Sequence, residues 1–351
     1  MSAPGATRAR LALLVLLCLM GSSCGIAAAP PPTTEVAAPI VLSDGWLAMG
    51  TFFEADLRVP APQAEMAQNW LRLARTEIAR LERVYSRHDP DSELSRLNRF
   101  LAGAKGESTP IGPDLAALLK DAQRFGQATG GTFDISIGPL VKLWSEAAGR
   151  GRKPSAESLR RAHARIGLEG LDLSGGQWLR IARRAGRLDL DAISKGAVLD
   201  RLRASFVQRF PDAAALLSFG QSSVVAIGDP DGAGWRLALR SRDPAQGIFG
   251  EIRLRDQALS MSSKWGQDRE IKGRVVSHVL DPRTGQPVEG TLEAVVIAPT
   301  ARRADAWSTA LLVLGAVPTG LEGARIHGLE VLLIEETGRI RRTRGWPQIE
   351  D

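Results

Sequence analysis

The spacing of apolar residues predicts helices and short strands interspersed along the chain. Apolar positions recur at helical intervals in residues 66–85 and 115–125, and again in the segment that begins at Lys195. Apolar and polar residues alternate in residues 49–59 and in 188–191, as they do in half-buried strands. Further short strands follow in the C-terminal half, so the pattern predicts a domain of mixed helices and antiparallel strands.

The N-terminus has the pattern of an export signal. Arg8 and Arg10 precede an apolar run, which small residues and Cys24 follow; the order is that of a cleaved signal peptide, and the run is too short to span a bilayer as a helix. We therefore expect residues 1–24 to be a signal peptide and residues 25–45 an Ala- and Pro-rich tether. Residues 46–351 are expected to form the functional domain.

Cys24 gives this leader features of a bacterial lipoprotein. The small residues before it resemble a lipoprotein cleavage box, although Gly21 stands where a leucine is usual. The expected location is thus the periplasmic face of the inner membrane through a lipidated Cys24, or the soluble periplasm after ordinary signal cleavage. Cys18 is the only other cysteine, so the mature domain depends on its core and not on disulfides.

Composition excludes one class of partner. The net charge of +6 allows attraction to anionic ligands, but it is too modest to indicate nucleic-acid binding, and no nucleic-acid-binding motif is present. The hydrophobic fraction of 44% is sufficient for a sizeable core.

Residues 277–287 carry the densest chemistry in the chain. His278, one of four histidines, lies three residues before Asp281-Pro282, and Thr284-Gly285 follow. Proline fixes its own φ and holds the preceding residue extended, and Thr-Gly predicts a tight turn with positive φ at the glycine. Locally, a rigid loop that displays a site and a β-hairpin turn that contains a histidine are equally good interpretations.

Three other stretches each fit a site or an ordinary structural feature. Lys195 at a helix start could meet a phosphate together with the helix N–H groups and dipole, or be a plain helix start. Asp134 follows a phenylalanine, and burial would require partners for its carboxylate. Asp305 and Thr309, four apart on a predicted helix, offer two oxygen ligands of the kind Mg²⁺ prefers. The alternative there is an aspartate stabilised by the helix dipole.

Together these stretches resemble the ApbE family of FAD:protein FMN transferases, over about residues 46–335. Each motif alone is weak, whereas six in the family's order are specific. The motifs are Met49-Gly50-Thr51, Ser92-Glu93-Leu94-Ser95-Arg96-Leu97-Asn98, Gly131-Thr132-Phe133-Asp134, Leu190-Asp191-Ala192-Ile193-Ser194-Lys195-Gly196 with Asp200, His278-Val279-Leu280-Asp281-Pro282-Arg283-Thr284-Gly285 and Ala304-Asp305-Ala306-Trp307-Ser308-Thr309-Ala310.

The resemblance implies an α+β fold of T-fold-like architecture, with mixed and antiparallel sheets flanked by helices and FAD bound in a cleft. It implies Mg²⁺-dependent transfer of the FMN moiety of FAD to a Thr or Ser hydroxyl of an acceptor protein, with release of AMP. FAD is then the substrate, Mg²⁺ the cofactor, and a protein with a Thr/Ser flavinylation motif the partner.

The resemblance also implies roles for particular residues. Asp305 and Thr309 match the family's metal ligands, and a backbone carbonyl near Ala192 would help them. His278 matches a histidine important for transfer, and with an unperturbed pKa near 6.5 it could accept the proton of the incoming hydroxyl. The residues expected to contact FAD are Met49, Asn98, Asp134, Lys195, Ser222, Ser262, Asp281 and Thr284.

The sequence departs from the family in two stretches that line the flavin cleft there. The family's Gly-Gly-Asp/Asn reads Phe219-Gly220-Gln221-Ser222 here, and its Thr-Ser-Gly reads Met261-Ser262-Ser263. Two alternatives to the transferase therefore stay open. One is an FAD pyrophosphatase that releases FMN and AMP, and the other is a non-catalytic flavin-binding lipoprotein.

Overall fold

The computed structural model describes residues 38–104, 106–181, 186–241, 247–266, 269–315 and 327–348. The predicted signal peptide, residues 1–24, and the first part of the predicted tether lie outside these ranges. Within them, no helix combines the length and the apolar character needed to cross a bilayer.

Helices and strands are interspersed along the described residues, as the apolar spacing predicts. The helices are α1 (Ala64–Tyr85), α2 (Glu93–Gly103), α3 (Pro113–Ala128), α4 (Gly138–Gly149), α5 (Ala156–His163), α6 (Ser194–Arg209) and α7 (Ala301–Leu314). The strands are β1 (Ile40–Ala48), β2 (Thr51–Val59), β3 (Ser108–Pro110), β4 (Leu171–Gly175), β5 (Trp178–Ile181), β6 (Ala214–Phe219), β7 (Ser223–Ile227), β8 (Trp235–Arg240), β9 (Ile248–Leu254), β10 (Ala258–Ser263), β11 (Arg269–Ile271), β12 (Arg274–Val276), β13 (Thr291–Ala298), β14 (Glu330–Glu335) and β15 (Ile340–Arg342).

An antiparallel sheet forms the centre of the fold. Among the described residues it has eight strands, in the order β1-β2-β6-β7-β10-β13-β14-β15. Every residue of β13 is buried, and its side chains alternate between the two faces. Ala294 and Val296 enter one core cluster, while Val295 and Ile297 enter the other. The centre of the sheet is therefore covered on both sides.

Helices cover one face of the sheet, and a two-stranded hairpin covers the other. On the helical face, Trp70 of α1 and Phe206 of α6 lie in the larger core cluster with their rings edge to face. On the opposite face, Trp235 and Ile252 of the β8–β9 hairpin pack against β10 and β13. Burial of each such large apolar side chain contributes roughly 1.5–3 kcal/mol, which makes these two layers the main stabilising elements.

The folded domain begins earlier than the sequence indicates. Strand β1 starts at Ile40 and pairs with β2 from Ile40↔Val59 to Ala48↔Thr51, so the end predicted for the tether at residue 45 is wrong. Ser43, Asp44 and Gly45 interrupt the apolar pattern. An edge strand with one exposed face tolerates such residues, because only its inner face contributes to the core.

Residues 188–191 do not form the strand that their alternation predicts. The backbone N–H of Leu188 donates to Asn98 Oδ1 at 2.7 Å, and that of Asp189 donates to the Ile135 carbonyl at 2.7 Å. These contacts satisfy the backbone without a sheet partner. The segment is an extended loop that leads into α6.

Candidate active site

A cavity of about 350 Å³ opens where the start of α6, the end of β10 and residues 277–282 meet. Residues from widely separated parts of the chain line it, because the sheet brings these ends together. Six of the predicted site residues are among them: Asp134, Ala192, Lys195, Ser262, His278 and Thr309.

The loop that carries His278 is both a hairpin turn and part of the cavity wall. The backbone N–H groups of Asp281 and Gly285 donate to the carbonyls of Gln286 and Asp281, each at 2.8 Å, and Leu280 pairs with Pro287. Gly285 has φ +71°, as the Thr-Gly pair predicts. The two local interpretations therefore describe one structure, in which a tight turn presents His278.

Asp281 and Thr284 stabilise this turn and do not line the cavity. The Asp281 carboxylate accepts hydrogen bonds from the backbone N–H and the guanidinium of Arg283, at 2.8–3.0 Å. Thr284 Oγ1 accepts one from the Gln286 N–H at 3.2 Å. The positions of both side chains favour a structural role over the predicted contact with FAD.

Helix α4 holds the loop from behind. Trp144 Nε1 donates to the Gly285 carbonyl at 2.8 Å, and the Trp144 ring lies in a small apolar cluster with Leu140 and Leu280. A buried indole that is both packed and hydrogen-bonded restrains the turn. His278 is thereby displayed on a fixed backbone.

Helices α6 and α7 cap each other's N-termini beside the cavity. The Gly196 N–H of α6 donates to Asp305 Oδ2 at 2.7 Å, and the Ala301 N–H of α7 donates to Asp200 Oδ1 at 2.7 Å. Carboxylates are favourable at helix N-termini because of the orphan N–H groups and the dipole. A Cβ on Gly196 would lie 2.5 Å from the Ala301 backbone, so only glycine allows this approach.

Asp305 is buried in a cluster of hydroxyl groups. Ser223 Oγ donates to Asp305 Oδ1 at 2.8 Å. Ser262 Oγ lies 2.8 Å from Ser308 Oγ and 3.3 Å from Thr309 Oγ1. Burial raises the pKa of the Asp305 carboxyl, while Lys195, serine hydroxyls and the Gly196 N–H oppose that rise.

The donor set fits Mg²⁺. Asp305 and Thr309 offer a carboxylate and a hydroxyl four residues apart on α7, and the carboxylate retains acceptor capacity beyond the hydrogen bonds from Gly196 and Ser223. Among the described residues, no group of three or more His, Cys, Asp or Glu side chains is arranged so that it could hold a metal ion. Mg²⁺ commonly uses one or two carboxylates with waters and substrate phosphates, so one carboxylate beside a hydroxyl is a reasonable arrangement.

Comparison with known proteins identifies the family. The model of the ApbE family matches residues 49–333. The chain belongs to the ApbE family. A protein of Escherichia coli K12 named FAD:protein FMN transferase is 29% identical over 328 residues, which cover 92% of this chain and 91% of that protein. A Klebsiella pneumoniae protein of the same name is 30% identical over 345 residues, covering 96% and 95%.

Solved structures confirm the predicted α+β fold of the ApbE family. The apo form of the flavinyl transferase ApbE from Pseudomonas stutzeri has a TM-score of 0.74 at 26% identity, covering 88% of this chain and 96% of that one. The ApbE protein of Thermotoga maritima has a TM-score of 0.77 at 23% identity. The family resemblance carried by six ordered motifs is therefore confirmed.

Three further residues expected to contact FAD do not line the cavity. Asn98 is buried and holds the loop before α6, with Nδ2 donating to the Leu188 carbonyl at 2.9 Å. Met49 occupies the β1–β2 turn at φ +49°, with its N–H donating to Glu82 Oε1. Ser222 Oγ donates to the Phe219 carbonyl in the β6–β7 turn. Their positions indicate that these residues shape the fold and do not support the predicted contacts with FAD.

An ion-paired group that the sequence interpretation overlooks lies on the cavity wall. Arg87 Nε is 2.7 Å from Asp191 Oδ2 and 3.1 Å from Asp189 Oδ2, and all three residues line the cavity. Burial and the neighbouring Asp191 raise the pKa of Asp189 to about 6, whereas Arg87 acts to lower it. The two acids shortly before Lys195 are the available signal, but their alternation predicts a strand instead.

The two departures from the ApbE pattern face different cavities. Met261, Ser262 and Ser263 line the cavity that holds His278. Gly220 and Gln221 instead line a second cavity of about 350 Å³, which Met261 also borders. Only one of the two altered stretches is therefore in contact with the candidate site, and its serines keep hydroxyl groups there.

Proposed function

We propose that this protein transfers the FMN moiety of FAD to a hydroxyl of an acceptor protein and releases AMP. The observation that carries the proposal is one cavity lined by His278, Lys195 and Thr309, with the buried Asp305 behind it, in a chain that the ApbE family model spans. Relatives that match over nine-tenths of their length are named FAD:protein FMN transferase.

Lys195 and the first turn of α6 are suited to hold the pyrophosphate of FAD. The ammonium and the helix dipole both favour negative charge at this point, while the Gly196 N–H is occupied by the Asp305 carboxylate. Fixing the phosphates aligns the FMN phosphorus with an incoming hydroxyl, and alignment supplies much of the catalysis in phosphoryl transfer.

His278 acts as the general base in this proposal. The hydroxyl oxygen of the acceptor's Thr or Ser forms a bond to the phosphorus of the FMN phosphate, and the bond from that phosphorus to the oxygen shared with AMP breaks. His278 takes the hydroxyl proton, and AMP leaves with the bridging oxygen. The half-buried ring on a restrained turn suits a proton acceptor that must stay in position.

Asp305 and Thr309 would hold Mg²⁺, with the carbonyl of Ala192 as a further ligand. Bound there, the ion would supply the positive charge that neutralises the phosphate oxygens. Ala192 lines the same cavity as Thr309. The Ser223 hydroxyl and the Gly196 N–H orient the Asp305 carboxylate, and such outer partners fix ligand geometry in metal sites.

We also propose that the protein acts on the periplasmic side of the inner membrane, anchored by a lipidated Cys24 or soluble after signal cleavage. The basis is the leader pattern of residues 1–24. Fatty-acid labelling of the wild type and of Cys24→Ala in a bacterial host separates the two forms. Label on the wild type alone supports the anchor.

One incubation tests the proposed activity. The protein is mixed with FAD, Mg²⁺ and an acceptor that the Escherichia coli relative modifies, with that relative as the positive control. Flavin fluorescence on the denatured acceptor supports transfer. AMP and free FMN with an unlabelled acceptor indicate a pyrophosphatase, and FAD recovered unchanged indicates a binding protein; either result contradicts the proposal.

A further inference from the structure

Another concave surface lies next to the candidate active site and is lined by positively charged side chains. This cavity, of about 520 Å³, is here called the basic groove. It shares Arg87 with the active-site cavity. Its charged or titratable lining residues are Arg87, His88, Arg99, Lys142, Arg165 and Arg187, and no carboxylate lines it among the described residues.

The cations reach the groove from five different parts of the fold. Arg87 follows α1, Arg99 lies on α2, Lys142 on α4, Arg165 after α5, and Arg187 before α6. Three of these segments are closely packed, since a Cβ on Gly186 would lie within 2.6 Å of both the Pro139 ring and the Arg165 carbonyl. The charge is therefore built into the fold and is not a run of neighbouring residues.

Arg87 is paired with Asp189 and Asp191, whereas most of the remaining charge has no carboxylate partner within the described part of the chain. Arg99 and Arg187 donate to backbone carbonyls, those of Pro90 and Arg87. Arg165 has no side-chain hydrogen bond or ion pair there, and Lys142 has one exposed pair with Glu146 at 3.8 Å. Exposed pairs of that kind are weak. Like charges gathered in a concavity raise the local positive potential and favour an anionic occupant.

We propose that the basic groove binds an acidic segment of the acceptor protein, next to the Thr or Ser that receives FMN. This inference rests on the proposed function, because it assigns the groove to the protein substrate of that reaction. The groove adjoins the active-site cavity at Arg87. An acceptor chain whose hydroxyl lies in the active-site cavity can therefore place its neighbouring acidic residues in the groove. A planar membrane surface cannot enter a cavity formed between helices and loops, which favours a peptide over lipid headgroups.

The test measures peptide binding and needs no turnover. A fluorescent peptide with a central Thr flanked by Asp and Glu is compared with one carrying Asn and Gln in their places, by fluorescence anisotropy. The wild type is expected to bind the acidic peptide about tenfold more tightly, with a preference that shrinks at high salt. Equal affinity for the two peptides would overturn the proposal.

A charge-reversed variant tests whether the groove causes the preference for the acidic peptide. Lys142→Glu/Arg165→Glu should lose this preference. If that variant unfolds, the milder Lys142→Gln/Arg165→Gln serves in its place and should lose part of the preference. The matched control is Arg209→Glu/Arg344→Glu, which makes the same charge change at two exposed arginines that line none of the described cavities. A preference that survives in the groove variants, or disappears in the control, contradicts the assignment.

Two further arms distinguish other sources of negative charge. The affinity of the groove variant for FAD should equal that of the wild type; a loss of about tenfold would assign the groove to the nucleotide instead. Vesicles of phosphatidylglycerol and phosphatidylcholine should not displace the acidic peptide, and displacement would assign it to a membrane surface. Failure of FMN transfer with the peptide preference intact would remove the proposed reaction and leave the groove as an acidic-peptide site.

Discussion

At the scale of single residues, Asp305 combines two tasks. Its carboxylate caps the first turn of α6 through Gly196 and accepts from Ser223, and it is also the carboxylate expected to hold Mg²⁺. Burial without these partners would be costly. The hydrogen bonds that make a buried carboxylate tolerable thus also orient it beside the cavity.

His278 gives the first prediction at this scale. His278→Ala should lower the rate of flavin attachment by about 10²-fold or more, because a positioned general base contributes about that much. FAD affinity should change little, since the ring is assigned to the acceptor's proton. Fluorescence titration with FAD and a rate assay on the acceptor measure the two separately.

His163→Ala is the matched control for that variant. The His163 ring contacts the same loop, with Nε2 3.0 Å from the Arg283 carbonyl, but lies on the exposed surface of α5. The variant His163→Ala should retain most of the flavin-attachment activity. Wild-type transfer by His278→Ala would show that the base is another group.

Asp189 gives a prediction about pH. Burial first, and then Asp191, raise its folded pKa to about 6, above the value of about 3.9 for an unfolded aspartate. The folded state therefore binds the proton more tightly, so this group's contribution to the free energy of unfolding falls as pH rises from about 4 to about 6.

The variant Asp189→Asn isolates that contribution. Relative to the wild type, the free energy of unfolding of this variant should rise by about 2 kcal/mol between pH 4 and pH 7, measured by urea unfolding without Mg²⁺. Asp172→Asn is the control of opposite sign, since hydrogen bonds from Ser174 lower the pKa of that exposed carboxyl. A pH-independent difference between Asp189→Asn and the wild type would contradict the assignment.

At the scale of elements, the close contact between α6 and α7 fixes Lys195 relative to Asp305. Gly196→Ala should force the helices apart, because the added methyl would lie 2.5 Å from backbone atoms of Ala301 and Arg302. We expect a loss of about 1–3 kcal/mol in stability, with a fall in transfer activity. Thermal unfolding and the transfer assay measure both effects.

Gly149→Ala is the control, since a Cβ added at this position, the end of α4, would have no heavy atom within 4 Å. Its stability should stay within about 0.5 kcal/mol of the wild type. If Gly196→Ala is as stable and as active as this control, helix contact does not position the site.

Apolar spacing predicts a helix or strand well when the spaced apolar residues themselves stabilise it. Helix α3 covers residues 115–125, as their apolar spacing predicts. The first residues of β1 are not predicted because pairing with β2 stabilises this edge strand. Its own sequence lacks the regular alternation of apolar and polar residues. Residues 188–191 show the converse, since their alternation exists but Asn98 and Ile135 take the backbone groups that a sheet would use.

At the scale of the whole molecule, the order of motifs predicts the cavity better than any one motif does. Lys195, His278 and Thr309 meet there because the sheet brings their elements together. Asn98 and Asp281 belong to the same motifs yet support the backbone. A sequence motif does not distinguish a residue that contacts a ligand from one that holds its neighbours. The basic groove could not be predicted from the sequence, because its cations come from separate segments that only the fold brings together.

In the proposed function, cleavage of FAD and attachment of FMN are one reaction. The ratio of AMP released to FMN bound covalently to the acceptor tests this coupling when it is followed over time with the wild type and with Asp305→Ala. Equal amounts of the two products are expected with the wild type, and neither product with the variant. AMP accompanied by free FMN and an unmodified acceptor, or full activity of Asp305→Ala, would contradict the proposed function.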